Sequence, residues 1–127
     1  MIEHNIHPEQ ALIVVTVSGT VDVEEILSSI HALRLDANYN NQFKAVWDFR
    51  TLDGAHGLDA VQDIVGGIGQ LPGAPPAMSA MLVGTPRNTA LATLYGQLAQ
   101  HLHQSKAFST VNAAGTWLDV NLAPYVH

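Results

Sequence analysis

Residues 11–18 read Ala-Leu-Ile-Val-Val-Thr-Val-Ser, apolar at nearly every position. A strand with one wet face alternates; a continuous apolar run needs cover on both faces, as in a central or parallel strand. Such a strand requires a layer of structure on each side of its sheet. Residues 43–49 (Phe-Lys-Ala-Val-Trp-Asp-Phe) and 78–84 (Met-Ser-Ala-Met-Leu-Val-Gly) supply two further strands. Residues 1–7 are short and partly alternating, and the turn-like Pro8-Glu9-Gln10 joins them to the first strong strand as a hairpin.

Helical patterns lie between the strands. Asp22 with Glu25 makes a capping-box-like start, and Val23, Ile26, Leu27, Ile30 and Leu33 follow on one face. Residues 38–41 (Asn-Tyr-Asn-Asn) close that helix. The stretch 51–57 is a loop, and a second helix places Leu58, Val61, Ile64, Val65 and Ile68 on one face. Gly66, Gly67 and Gly69 weaken its end, and their place after a helix argues for termination or close packing, not a nucleotide motif. Residues 71–77 form a Pro-rich connector. Thr85-Pro86 opens a third helix with an N-cap hydroxyl and proline at its first position. It is expected to run to about His103 and to bury Ala90, Leu91, Leu94, Tyr95, Leu98 and Leu102. A last strand over residues 107–111 leads to a short helix capped by Asn112 and containing Trp117 and Leu118, then an irregular tail, 119–127. Trp47 and Trp117 are expected in the core.

The order is β-β-α-β-α-β-α-β-α. It predicts an α/β domain with a mainly parallel five-stranded sheet and an antiparallel N-terminal edge strand. At 127 residues the chain makes one domain, 1–127. The absence of cysteine excludes disulfides, thiolate catalysis and cysteine-based metal clusters. Five Lys+Arg against 11 Asp+Glu give a net charge of −6, which argues against nucleic acid and anionic membranes as partners. The N-terminus lacks the basic start and apolar run of a signal peptide, and residues 11–17 are too short to span a bilayer. A cytoplasmic location is the expectation. Only 13% of residues are charged, about half the usual ~25% of soluble domains. No charged residue lies between Gly66 and Thr85. That stretch and the third helix are the expected self-association or partner face, and a two-fold homodimer is the expected assembly.

The pattern resembles the STAS-like domains, also called SpoIIAA-like after the sporulation anti-anti-sigma factor. The residues that carry the resemblance span nearly the whole chain. Strand 12–19 runs into helix 22–35. Ala45-Val46-Trp47-Asp48-Phe49-Arg50 is similar to the strand ending in Asp-Leu-Arg of uncharacterised bacterial members. Strand 80–84 leads into a capped helix with Tyr95, and strand 108–111 precedes residues 113–118, which resemble a closing Ala-x-x-Trp-Leu helix. The resemblance implies a SpoIIAA-like fold and a bacterial, non-enzymatic protein-interaction or regulatory domain. In the family's signalling branch a serine after the second parallel strand is phosphorylated. Where that switch has Asp-Ser-Ser-Gly-Leu, this chain has Gly54-Ala55-His56-Gly57-Leu58. The acceptor serine is missing, and His56 holds the matching place.

Ligands of open α/β sheets favour the crevice beyond the carboxyl ends of the strands. That rim carries Asp48, Arg50, Asp53 and His56 after one strand, and Thr85, Arg87 and Asn88 after the next. It is a candidate polar pocket or partner contact; the alternative is that Asp48 and Arg50 pair locally. The helix start at Thr85 lacks a Gly-rich cradle or P-loop lysine for phosphate. The seven histidines offer no His-x-x-x-His pair; His101 and His103 would point ~200° apart on a helix. The serines sit in no nucleophile elbow. No catalytic residue, cofactor or metal is therefore expected. Protein docking is the leading expectation, and binding of a small apolar or anionic ligand is the alternative. A well-formed apolar cavity would favour the ligand; a wide flat apolar patch would favour the partner.

Overall fold

The computed structural model describes residues 1–53 and 57–127, and of Leu58 the backbone only. Its sheet has five strands: β1 (Ile2–His7), β2 (Leu12–Gly19), β3 (Lys44–Leu52), β4 (Met78–Leu82) and β5 (Gln104–Phe108). Their spatial order is the sequence order; β1 pairs antiparallel with β2, and the remaining pairs are parallel. Four helices follow in turn: α1 (Val23–Leu35), α2 (Leu58–Gln70), α3 (Pro86–Leu98) and α4 (Val111–Leu118). The α/β class, the antiparallel edge and the element order are those expected from the pattern.

The continuous apolar run of β2 is covered on both faces. Ile13, Val15 and Val17 pack with Ile26, Ile30 and Leu33 of α1 and Ile68 of α2. Leu12 and Val14 pack on the opposite face with Ala114 and Leu118 of α4 and with Leu122 and Val126 beyond it. The crossover helices α1, α2 and α3 thus share one face, as a parallel sheet built by successive steps of one hand dictates. The tail was expected to be irregular. It has neither helix nor strand, yet Leu122 and Val126 are buried and close the second core layer.

Asp22 caps α1, its carboxylate accepting from the Glu25 N–H at 2.8 Å, and Thr85 caps α3, its hydroxyl accepting from the Asn88 N–H at 3.1 Å. Three local expectations need correction. First, α3 ends at Leu98 and turns at Ala99, and His103 lies in that turn. Ala90 is exposed, while Ala92 and Ala99 are buried. Gly96 is where α3 comes close to β5: a Cβ there would lie 2.8 Å from the Ser105 carbonyl oxygen. Second, β5 is residues 104–108, not 107–111. Its polar start, Gln104-Ser105-Lys106, pairs with β4 in register, which an apolar-run criterion overlooks. Third, Thr110, not Asn112, caps α4, accepting from the Ala113 N–H at 3.1 Å.

Gly66, Gly67 and Gly69 do not end α2, which continues to Gln70. Gly67 is where α1 comes closest: a Cβ there would lie 2.5 Å from the Leu27 side chain. Close packing is therefore its role.

Candidate functional site

A cavity of about 140 Å³ lies between the sheet and the three crossover helices. Strand alternation determines which side chains reach it. Trp47 and Phe49 of β3, Ser79 and Met81 of β4 with Val83 just past its end, and Ser105 of β5 stand on the helical face and line it. Trp47 and Phe49 stack, with ring centroids 5.9 Å apart. Past Phe49 the register slips: Thr16 to Ser18 of β2 is matched by the longer step Asp48 to Thr51 of β3. This bulge inverts the alternation, so Leu52 also faces the cavity. The helices contribute Ile26 and Ile30, Val61 and Ile64, and Leu91 and Ala92.

One end of this apolar space is polar. Tyr95 and His103 hydrogen-bond through the phenol and Nε2 at 2.8 Å. His103 Nδ1 lies 3.2 Å from the Pro76 carbonyl oxygen and 3.4 Å from Ser79 Oγ. A carbonyl can only accept, so Nδ1 carries the proton and donates, and Nε2 accepts from the Tyr95 hydroxyl. Burial pushes the imidazole below its ordinary value; the Pro76 bond opposes this, and the charge of Arg34 adds to it. The neutral form of His103 is therefore favoured. Burial pushes the Tyr95 phenol well up, with Arg34 opposing. Arg34, in the last turn of α1, lines the same end. Its Nη1 donates to the Pro72 carbonyl at 3.2 Å, while its Nε is buried without a hydrogen-bond partner. Ser105 Oγ is likewise buried and unpartnered; Ser105 is the register partner of Ser79 across β4 and β5. Tyr39 closes the rim, donating to the Ala74 carbonyl at 2.6 Å.

The residues singled out from sequence lie elsewhere. Asp48 and Arg50 alternate with Trp47 and Phe49, so they stand on the opposite face of the sheet. They pair bidentately: Arg50 Nε and Nη2 donate to Asp48 Oδ1 and Oδ2 at 3.0 and 2.8 Å, and Nη2 also donates to the His127 carbonyl at 2.9 Å. Burial alone would raise the Asp48 carboxyl, but hydrogen bonds from the Arg50 side chain and backbone, with its charge, bring it below the usual carboxylate range. Asp53 donates its N–H to the Gly19 carbonyl at 2.8 Å and is exposed. Thr85 serves as a helix cap, and Arg87 is exposed beside it. None of these five lines the cavity, whereas Asn88 does. His56 lies outside the described residues. Trp117 packs on the Asp48 side of the sheet, its ring 5.5 Å from that of Phe108.

The strand-end rule pointed to the carboxyl rim, but the polar pole sits at the amino ends of β4 and β5. A signal for it existed. Arg34 lies four residues after Ile30 and Tyr95 four after Leu91, so each continues an apolar helical face with a polar group.

No protein-family model matches the chain, and no curated protein matches it. Among solved structures it is similar to an uncharacterised DUF3478-family protein from Shewanella loihica PV-4, described as having a SpoIIAA-like fold. The TM-score is 0.59 at 15% identity, covering 92% of this chain and 93% of that one. The chain has a SpoIIAA-like fold, as the resemblance implied. None of its helices, among the described residues, is long and apolar enough to cross a membrane.

Proposed function

We propose that this domain binds a small, largely apolar molecule in the cavity between its sheet and α1–α3, and performs no chemistry on it. The cavity itself carries the reading: it is lined by aromatic and branched side chains, with a few polar groups gathered at one end, as ligand pockets are. Ser79 beside His103 superficially suggests a nucleophile and its base. The tautomer argues otherwise, because the nitrogen facing Ser79 carries a proton committed to Pro76 and cannot accept one. The protein-docking expectation has less support. Among the described residues the exposed large apolar side chains are Met1 and Leu35, too few for a continuous docking patch.

The test is a toluene titration followed by amide chemical shifts. Shifts should cluster at Trp47, Met81 and Ala92 and vanish in Ala92→Phe, whose ring fills the space. Wild-type spectra unchanged at saturating toluene would refute the reading.

A further inference from the structure

We infer that the cavity selects a monocarboxylate: a single aromatic ring or a short alkyl chain whose carboxylate docks on Arg34 and Ser105. The inference rests on the ligand-binding reading above and adds the identity of the head group.

Three observations carry it. The first is size. A cavity of about 140 Å³ matches the roughly 150 Å³ void known to accept benzene, so the apolar body is about six carbons. The second is charge. Arg34 is the single described lining residue with a fixed charge, since burial and the nearby guanidinium disfavour a charge on His103, whose Nε2 accepts from Tyr95. One guanidinium balances one negative charge; a dianionic phosphate would remain half uncompensated in an apolar surround. The third is unfilled hydrogen-bonding capacity. Nη1 of Arg34 is engaged by Pro72 and the Tyr39 hydroxyl also lies against the guanidinium, but its Nε is buried without an acceptor. The Nε edge of a guanidinium is a flat fork that fits a planar carboxylate. Ser105 Oγ, buried and unpartnered on the same lining, adds a neutral donor. The Tyr95 hydroxyl is already spent on His103, so it does not compete for the head group.

Benzoate and nitrobenzene decide the matter. They share shape and oxygen positions and differ by one charge. Titrated into the full chain and followed by amide shifts, benzoate should bind about tenfold more tightly or better. Arg34→Met should erase that preference, bringing benzoate down to the affinity of nitrobenzene, and continued binding of nitrobenzene also shows that the variant pocket is folded. Arg34→Gln serves as a second variant if the first does not fold. Equal affinities in the wild type, or a benzoate preference that survives loss of the guanidinium, would overturn the carboxylate assignment and leave an apolar pocket standing. If neither compound binds, the ligand-binding reading itself falls.

Discussion

His103 is the most constrained side chain of the polar pole, held from both ring nitrogens. Its folded-state pKa lies below the ordinary histidine value of about 6.5. As pH falls through ~6.5 the unfolded chain therefore takes up this proton before the folded chain does. Stability should decline from there down through the folded-state pKa, by up to about 1.4 kcal/mol per pH unit, and the contribution is constant above ~6.5. Urea midpoints measured from pH 7 to pH 5 should fall in the wild type and fall less in His103→Gln, which keeps a donor and an acceptor; identical slopes would disprove the assignment. Tyr95→Phe removes the donor to Nε2 and strands a buried acceptor. It should cost about 1–3 kcal/mol in chemical denaturation. At this scale the sequence was least legible. The chemistry of Asp48 and Arg50 could be named, but not that strand alternation turns them away from the cavity, nor that Arg34, 45 residues before Ser79 in the chain, would share its wall.

Among the elements, α3 shows how packing can hide from a pattern. Gly96 abuts the Ser105 carbonyl, and its lack of a side chain is what lets the helix approach β5. Gly96→Ala should therefore destabilise by about 1–3 kcal/mol, since its Cβ meets backbone that cannot rotate away. Gly69→Ala should do the reverse. Nothing lies within 4 Å of a Cβ there, and removing a helical glycine gains about 0.5–1 kcal/mol. Thermal melts of the two variants moving in the same direction would contradict this account. The strands β2, β3 and β4 and the caps at Asp22 and Thr85 were readable because each depends on residues a few positions apart. The end of α3, the start of β5 and the cap of α4 were not. They are decided by pairing with β4 and by a choice among neighbouring cap-competent residues, Ser109, Thr110 and Asn112.

At the level of the whole molecule, the sheet separates two apolar layers, and residues past α4 complete the second. Leu122→Ala should cost about 2–5 kcal/mol, although it lies in a segment without regular structure. A loss within 0.5 kcal/mol by urea titration would mean that the tail merely rests on the core. Self-association through the uncharged stretch 66–85 is a separate proposal. Light scattering at micromolar concentration supports it with a dimer mass and excludes it with a monomer mass. The class and topology were legible because a β2 run apolar on both faces demands helices on both sides. The tail's burial was not, since Leu122 and Val126 carry no periodic signature of their own.

The identity of spatial and sequence order in the sheet has a kinetic consequence. Each strand joins the edge left by the one before it, so assembly can proceed from the N-terminus without reopening any pair. The helical face is covered as it grows, because every crossover brings its own helix. The other face is not: Leu12, Val14, Val46, Ala80 and Leu82 wait for α4 and for Leu122 and Val126. A nascent chain stalled before α4 would carry a finished sheet with one greasy, unroofed side, the surface that chaperones and neighbouring chains seize.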